Sequence, residues 1–561
     1  MTSPLRIGNF SGFYGDRFEA LAELLAGGEL DVLTGDYLAE LTMLILGRDR
    51  LRDPALGYAR TFLRQLEPCL GAALERGVRI VTNAGGLNPA GLAAAIGELA
   101  GRLGLSPRIG YVEGDDLAAE AEQLGFGGQL AANAYLGGWG IAACLRAGAD
   151  IVVTGRVTDA SLVVGPAAAH FGWSATDFDQ LAGAVVAGHV LECGTQATGG
   201  NYPFFDELSD LGRPGFPVAE LAADGSAVIT KQPGTGGAVT LGTVTAQLLY
   251  EIAGGRYAGP DVTARFDTVR LDQQGPDRVR ISGVTGEPPP PDYKVSLNSV
   301  GGFRNEVQFV LTGLQIDRKA ELVRRQLAPV LPPDTRWTLR RTDRPDADTE
   351  AAASALLVCT VRDADPDRIG RRFSDAAVQL ALASYPGFHL TAPPGAAQPY
   401  GVFRAGYLPV DRVRQVAVLP DGSRQPIPAG TVHQPLAELA EPDVEPWPGG
   451  PTRRLPLGTL VGARSGDKGG SANLGLWVRR PDGYPWLIAE LTVDRLRQLL
   501  PEVAELPIRR HLLPNLLAVN FVIEDLLGLG VGYQARFDPQ AKALGEWLRS
   551  RLADLPEELL T

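Results

Sequence analysis

Histidine, cysteine and methionine are scarce in this chain, with five, four and two copies among 561 residues. The cysteines, at 69, 144, 193 and 359, contain no CxxC pair and are too scattered for a disulfide framework. That pattern suits a reducing compartment and argues against structural zinc. No HxH or HExxH occurs, so a compact metal signature is missing as well. No apolar run reaches membrane-spanning length, and the opening MTSPLRIGNF has neither a charged region leading into an apolar core nor an Arg-rich amphipathic leader. The expectation is a cytoplasmic protein with no membrane partner. Excess positive charge is absent too: the formal charge is −13, and Arg340-Arg341 and Arg479-Arg480 are short clusters. A surface of that sign repels a phosphate backbone, which excludes nucleic acid as the expected partner.

What is present describes an ordinary globular protein, with 45% hydrophobic and 21% charged residues. Its length exceeds what one hydrophobic core usually serves and implies two to four domains. Glycine and proline are plentiful at 69 and 42, yet apolar periodicity persists almost throughout, so the bias is compositional and does not signal disorder.

From Leu5 to about Trp173 the chain alternates a short β-prone run, a polar glycine-containing loop and an Ala/Leu-rich helical stretch. That rhythm predicts an α/β fold with a parallel sheet in the N-terminal domain. The predicted strands are Leu5–Ile7, Leu30–Leu33, Val78–Val81, Arg108–Val112 and Asp150–Val153. Predicted helices include 61–76, 117–124 and 133–147, and a further one over 177–193 that Gly194 ends. Residues 203–419 read as an α+β middle region, in which strands and helices between Glu306 and Ala383 suggest a small helix-on-sheet layer. Prolines and glycines in 420–453 resist both helix and central strand and mark a linker. The smaller C-terminal segment, 454–561, is long enough to fold alone, with strands expected at 455–463, 472–478, 486–491 and 518–523 and a helix at 493–500. The predicted domains are therefore 1–202, 203–419 and 454–561.

The loops after the five N-terminal strands each hold a glycine and a polar or acidic group. In a parallel sheet such loops share the carboxyl-end side, where ligands bind. Asn9, Ser11, Asp36, Asn83, Asp115, Arg156 and Asp159 are expected to line one crevice, against the plainer alternative that the aspartates only cap helices. Asp36, Glu40, Asp115 and Asp159 are also candidates for gathering around a hard divalent cation, which the sequence neither requires nor excludes. The densest chemistry lies in GRVTDASL and GHVLECGTQATGGN, which bring together Arg156, Asp159, His189, Glu192, Cys193, Gln196, Thr198 and Asn201. His189 and Cys193, four apart on a predicted helix, share a face, with Glu192 three beyond the histidine. At a helix carboxyl end the dipole favours an imidazolium and disfavours a thiolate. Proton transfer by His189, assisted by Glu192 or Asp159, is therefore favoured over thiol chemistry at Cys193. Arg156 suits bidentate contact with a carboxylate or phosphate. Near the C-terminus ARSGDKGGSANLG offers Ser465, Asp467, Lys468 and Asn473 in a polar loop that suits an anion or an ordinary hairpin tip.

The phrases GNFSGFYGDR, LTGDYLAELTM, TNAGGLNP, NAYLGGWGIAACLRAGADIVVTGRVTDASL and GHVLECGTQATGGNY resemble the acyclic terpene utilisation family, AtuA. LVGARSGDKGGSANLGLWV and LPNLLAVNFVIEDLL resemble the ferredoxin-fold domain that follows in many members. The resemblance implies a ferredoxin-like α+β C-terminal domain and a place in the breakdown of isoprenoid acids through acyl-CoA intermediates. The expected function is that of an enzyme, a hydro-lyase, acting on an isoprenoid or branched acyl-CoA or related carboxylate. It would add or eliminate water by acid-base catalysis, with no certain cofactor beyond CoA carried by the substrate. Two alternatives stay open: thioester hydrolysis or acyl transfer through Cys193, and a noncatalytic acyl-CoA-binding or carboxylase-associated subunit. A homo-oligomer is expected, as for many soluble metabolic proteins.

Overall fold

The computed structural model describes residues 3–560, excepting the side chains of Glu40 and Leu41. Five strands follow the N-terminal alternation: β1 Leu5–Ser11, β2 Val32–Gly35, β3 Arg79–Thr82, β4 Ile109–Glu113 and, after β5 Ala131–Ala134, β6 Ile151–Thr154. Together β1, β2, β3, β6 and β4 form a parallel array in that spatial order. Each buries β-branched or leucine side chains against the flanking helices, as strands covered on both faces must.

The sheet is larger than the parallel reading and is mixed. Strands β7 Pro217–Leu221 and β8 Ala227–Lys231 add antiparallel beside β1, followed by Arg278–Ser282 and Arg270–Gly275. On the opposite edge Val416–Val418 and Arg424–Pro426 continue antiparallel from β4. Alternation of strands with helices in the sequence reports only crossover connections, so hairpins contributed from distant segments escaped it.

Other differences are local. The expected 61–76 helix is broken into Arg60–Leu66 and Leu70–Glu75 around Pro68, whose ring resists a helix interior. The 117–124 helix shrinks to a short turn at Ala118–Glu120. Residues expected to begin a helix at 133 instead form β5, which pairs antiparallel with 295–298, and the helix starts at Trp139 after two glycines. Residues 486–491 form a helix, Tyr484–Glu490, with Pro485 in its first turn, where a missing N–H costs nothing. A short apolar run does not by itself distinguish strand from helix.

Helix Phe178–Glu192 is buried along nearly its whole length, as its run of Ala, Val, Leu and Gly permits. Gly188 lets it approach Ala160 closely, since an added Cβ would lie 2.8 Å from the Ala160 Cα. The carboxyl end of this helix is thereby fixed against the loops that follow the parallel strands.

The C-terminal segment forms a four-stranded antiparallel sheet in the order Val461–Lys468, Ser471–Val478, Ala518–Ile523, Ile508–Leu513. Helices Tyr484–Glu490, Val493–Leu499 and Leu544–Arg549 contribute to its apolar core around Leu474, Trp486, Leu487, Phe521 and Leu548. By contact density these residues belong to one compact unit with the N-terminal α/β sheet, comprising 1–298, 403–531 and 540–561. A second unit, 299–402 with 532–539, is a separate helix-on-sheet layer. Its strands at 303–312, 335–340 and 354–363 bury Phe309, Leu357 and Cys359 together with Val323 and Phe373 from its helices.

Candidate functional site

The loops beyond β1, β2 and β3 are knitted by side chains the sequence singled out. Ser11 Oγ donates to the Asp36 carbonyl at 2.9 Å, and Asn83 Nδ2 donates to Asp36 Oδ1 at 2.6 Å. Asn83 Oδ1 in turn accepts the Tyr37 N–H at 2.8 Å. Beyond β6, Asp115 Oδ2 accepts the Arg156 N–H at 2.8 Å and Asn133 Nδ2 at 2.9 Å. The Arg156 guanidinium lies 4.4 Å from the centre of the Tyr135 ring. Its Nη1 donates to the Leu38 carbonyl and to Asp159 Oδ1, both at 2.9 Å. Burial raises the pKa of Asp36 well above the ordinary carboxyl range, with the Asp159 charge adding to it and Arg156 opposing. Burial likewise pushes Asp115 up to about 7 against the hydrogen bonds it accepts. These residues do converge, but mostly by satisfying one another. Asp159, with 28% of its side chain exposed, is the member that reaches solvent.

The carboxyl end of helix 178–192 abuts this network. Asn9 Nδ2 donates to the carbonyls of Leu191 at 2.7 Å and Glu192 at 3.1 Å, satisfying groups that a helix end leaves open. An added Cβ at Gly12 would sit 2.8 Å from the Glu192 carbonyl oxygen, so only glycine permits this approach. His189 is wholly buried, its ring centroid 5.1 Å from that of Tyr257 and 5.3 Å from that of Phe266. Its Nδ1 lies 3.2 Å from Glu192 Oε1, an ion-pair distance without hydrogen-bond alignment, and among the described residues Nε2 has no hydrogen-bond partner. Burial pulls the imidazole pKa down, but Glu192 and Glu251 together more than offset it and the net shift is upward. Burial also raises Glu192, to about 7; His189 opposes, while Asp159 and Glu251 add to the rise. Among the described residues Glu192 Oε2 has no hydrogen-bond partner. The Cys193 thiol is pushed well above its ordinary value by burial, reinforced by Glu192 and Glu251.

The hairpin of the C-terminal sheet packs against residues 250–253. Lys468 Nζ donates to the Glu251 carbonyl at 2.8 Å, and Asn473 Oδ1 accepts the Glu251 N–H at 2.7 Å. Asn473 Nδ2 donates to Asn520 Oδ1, whose own amide donates at 3.2 Å to the carbonyls of Ile252 and Ala253. Arg464 donates to Gln196 Oε1 and lies over the Tyr250 ring, 4.6 Å from its centre. Lys542 donates to the Tyr250 hydroxyl and lies 3.6 Å from Asp467 and 3.8 Å from Glu251.

The profile of the acyclic terpene utilisation family protein AtuA matches residues 5–419, most of the chain. The chain belongs to the AtuA family. The profile of the AtuA ferredoxin-like domain matches residues 455–552. No curated protein and no solved structure gives a significant match.

In this AtuA-family chain several singled-out residues are placed as scaffold. Thr198 Oγ1 donates to the carbonyls of Thr195 and Gly215, and Ser465 Oγ accepts the Gly545 N–H at 2.9 Å at the start of helix 544–549. Asn201 adopts a left-handed backbone with φ of 59°. Conversely Tyr250, Glu251, Arg464 and Lys542 stand among the site residues without having been singled out. Arg464 adjoins the SGDKGG run, which was a usable signal, whereas Lys542 lies in a segment with no motif. Among the described residues no group of three or more His, Cys, Asp or Glu is arranged to hold a metal ion, and the Glu40 side chain lies outside them.

Proposed function

We propose that this protein is an enzyme that adds or eliminates water on a branched or isoprenoid acyl-CoA, or a related carboxylate, through the His189–Glu192 pair. The observation that carries the reading is Glu192: a buried carboxyl raised to about 7 with Oε2 unpartnered, at a junction where Asp159 is partly exposed. A carboxyl poised near neutrality suits general acid-base work. The sealed His189 ring sits behind it and acts as a positioning residue that sets its charge.

In the dehydrating direction the Asp159 carboxylate accepts the proton from C2 of a 3-hydroxyacyl group. The C2–C3 double bond forms as the C3–O bond breaks, and the Glu192 carboxyl protonates the departing hydroxyl to water. Hydration runs the same steps backwards, and exchange with solvent restores both groups. Membership of the AtuA family supports the substrate class. The burial that raises the Cys193 thiol works against thiol catalysis.

The test is turnover of paired 2-enoyl-CoA and 3-hydroxyacyl-CoA panels by the wild type and Glu192→Gln. Interconversion by the wild type and loss of about 10² or more in kcat for the variant are expected. Equal rates would remove Glu192 from its role. Tight acyl-CoA binding with no turnover of any panel member would favour the noncatalytic reading instead.

A further inference from the structure

We propose that Arg464 receives a carboxylate of the ligand, so that the substrate is an acyl-CoA whose acyl group carries a free carboxylate of its own. This rests on the acyl-CoA reading above and names its substrate more closely.

Arg464 is 7% exposed. Its polar contacts are the neutral Gln196 side-chain carbonyl and, at 3.5 Å, the Asn201 backbone carbonyl. Among the described residues no carboxylate stands within ion-pair distance of it; Glu251 acts on it only from farther away. A buried charge is costly unless paired, and proteins pair it from within or leave the counter-ion to a ligand. The acids nearby are already served by another cation, since Lys542 lies 3.6 Å from Asp467 and 3.8 Å from Glu251.

The position selects the kind of anion. Gln196 lies one turn beyond Cys193, and Arg464 donates to it while lying over the Tyr250 ring. The guanidinium is therefore at the reacting end of the site, next to the turn that carries Glu192. The phosphates of CoA are separated from the thioester by the whole pantetheine arm, so an arginine here faces the acyl group. A guanidinium fork matches a planar carboxylate bidentately. The Tyr250 ring backs the guanidinium at 4.6 Å and holds its plane.

The experiment is calorimetric titration of the full-length protein with glutaryl-CoA and pentanoyl-CoA, which share a five-carbon acyl chain and differ in the terminal carboxylate. Glutaryl-CoA is expected to bind about tenfold tighter or more. Arg464→Met should abolish that preference while leaving pentanoyl-CoA affinity within about twofold of wild type. Equal wild-type affinities, or a variant that weakens both thioesters alike, would overturn the proposal. If the methionine variant does not fold by circular dichroism, Arg464→Lys keeps the charge without the fork and should lose part of the preference; an unchanged preference overturns the idea. Free glutarate separates the two layers of inference. Glutarate binding that depends on Arg464, with neither thioester bound, supports the carboxylate receptor and ends the acyl-CoA reading.

Discussion

Asn9, at the end of β1, donates its side-chain amide to the backbone carbonyl of Glu192 at 3.1 Å, bridging 183 positions of sequence. The same amide reaches the Leu191 carbonyl at 2.7 Å, and its oxygen accepts Thr34 Oγ1 at 3.1 Å. One buried side chain thus holds the first strand, the second strand and the helix end that presents the candidate acid. Replacement by alanine removes one hydrogen bond from each of two carbonyls and one hydroxyl. Asn9→Ala is expected to cost about 1–3 kcal/mol, read as a lower urea midpoint, with a loss of turnover exceeding what unfolding explains. A midpoint and rate equal to wild type would show that the tether does not position Glu192.

Buried carboxyls give the fold a definite pH response. Asp115 and Glu192 are raised to about 7 and Asp261 to about 6, chiefly by burial. In the interval between the unfolded value near 4 and these folded values, the native state keeps protons that the unfolded chain has released. Stability from each group is therefore full below pH ~4 and is lost as pH rises to the folded value, by about 1.4 kcal/mol per unit. Asp115→Asn is expected to flatten the fall in denaturation free energy between pH 5 and 7 relative to the parent. An unchanged slope would mean that Asp115 is ionised in the native protein.

Cys193 is expected to be a poor nucleophile. Its thiol is raised well above the usual value, so at pH 8 almost none is thiolate. Intact-protein mass spectrometry should find no acyl adduct during turnover, and Cys193→Ala should retain most activity. An acyl-enzyme at this residue would reverse the preference for acid-base chemistry.

The Asn473–Asn520 pair docks the C-terminal sheet onto residues 251–253, and both side chains are fully buried. Asn520→Ala leaves the Asn473 amide and two backbone carbonyls without their partner, at about 1–3 kcal/mol. Faster amide exchange is expected in 461–478 and in 249–253, with little change in β1 to β3. Uniform acceleration across the sheet would show that the pair supports the whole fold and not the docking alone.

Much of the N-terminal half was legible because its determinants are local. Strand-sized apolar runs, glycine-bearing loops and Ala/Leu helices located the five parallel strands and the His189 helix within a few residues. The mixed sheet was not, because β7 and β8 join β1 from some two hundred residues away and no local pattern encodes that pairing. The site divides similarly. Residues 156–201 stood out by composition, and from that stretch Gln196 meets Arg464 while Asp159 acts on Glu192. Arg156 and Asp159, however, answer each other, and His189 is sealed between aromatic rings, facts that depend on Tyr135, Tyr257 and Phe266 arriving from other elements.

Sequence alone set the periodicities, the glycines that allow close backbone approach and the spacing of His189, Glu192 and Cys193 along one helix. Those follow from short-range geometry that every copy of the chain carries before it folds. Tertiary structure decided which of these groups faces solvent, which is silenced by a partner, and that Arg464 is buried with no counter-ion among the described residues. Burial and charge pairing are properties of assembled surroundings, and the surroundings of each side chain here come from strands and loops far removed in the sequence.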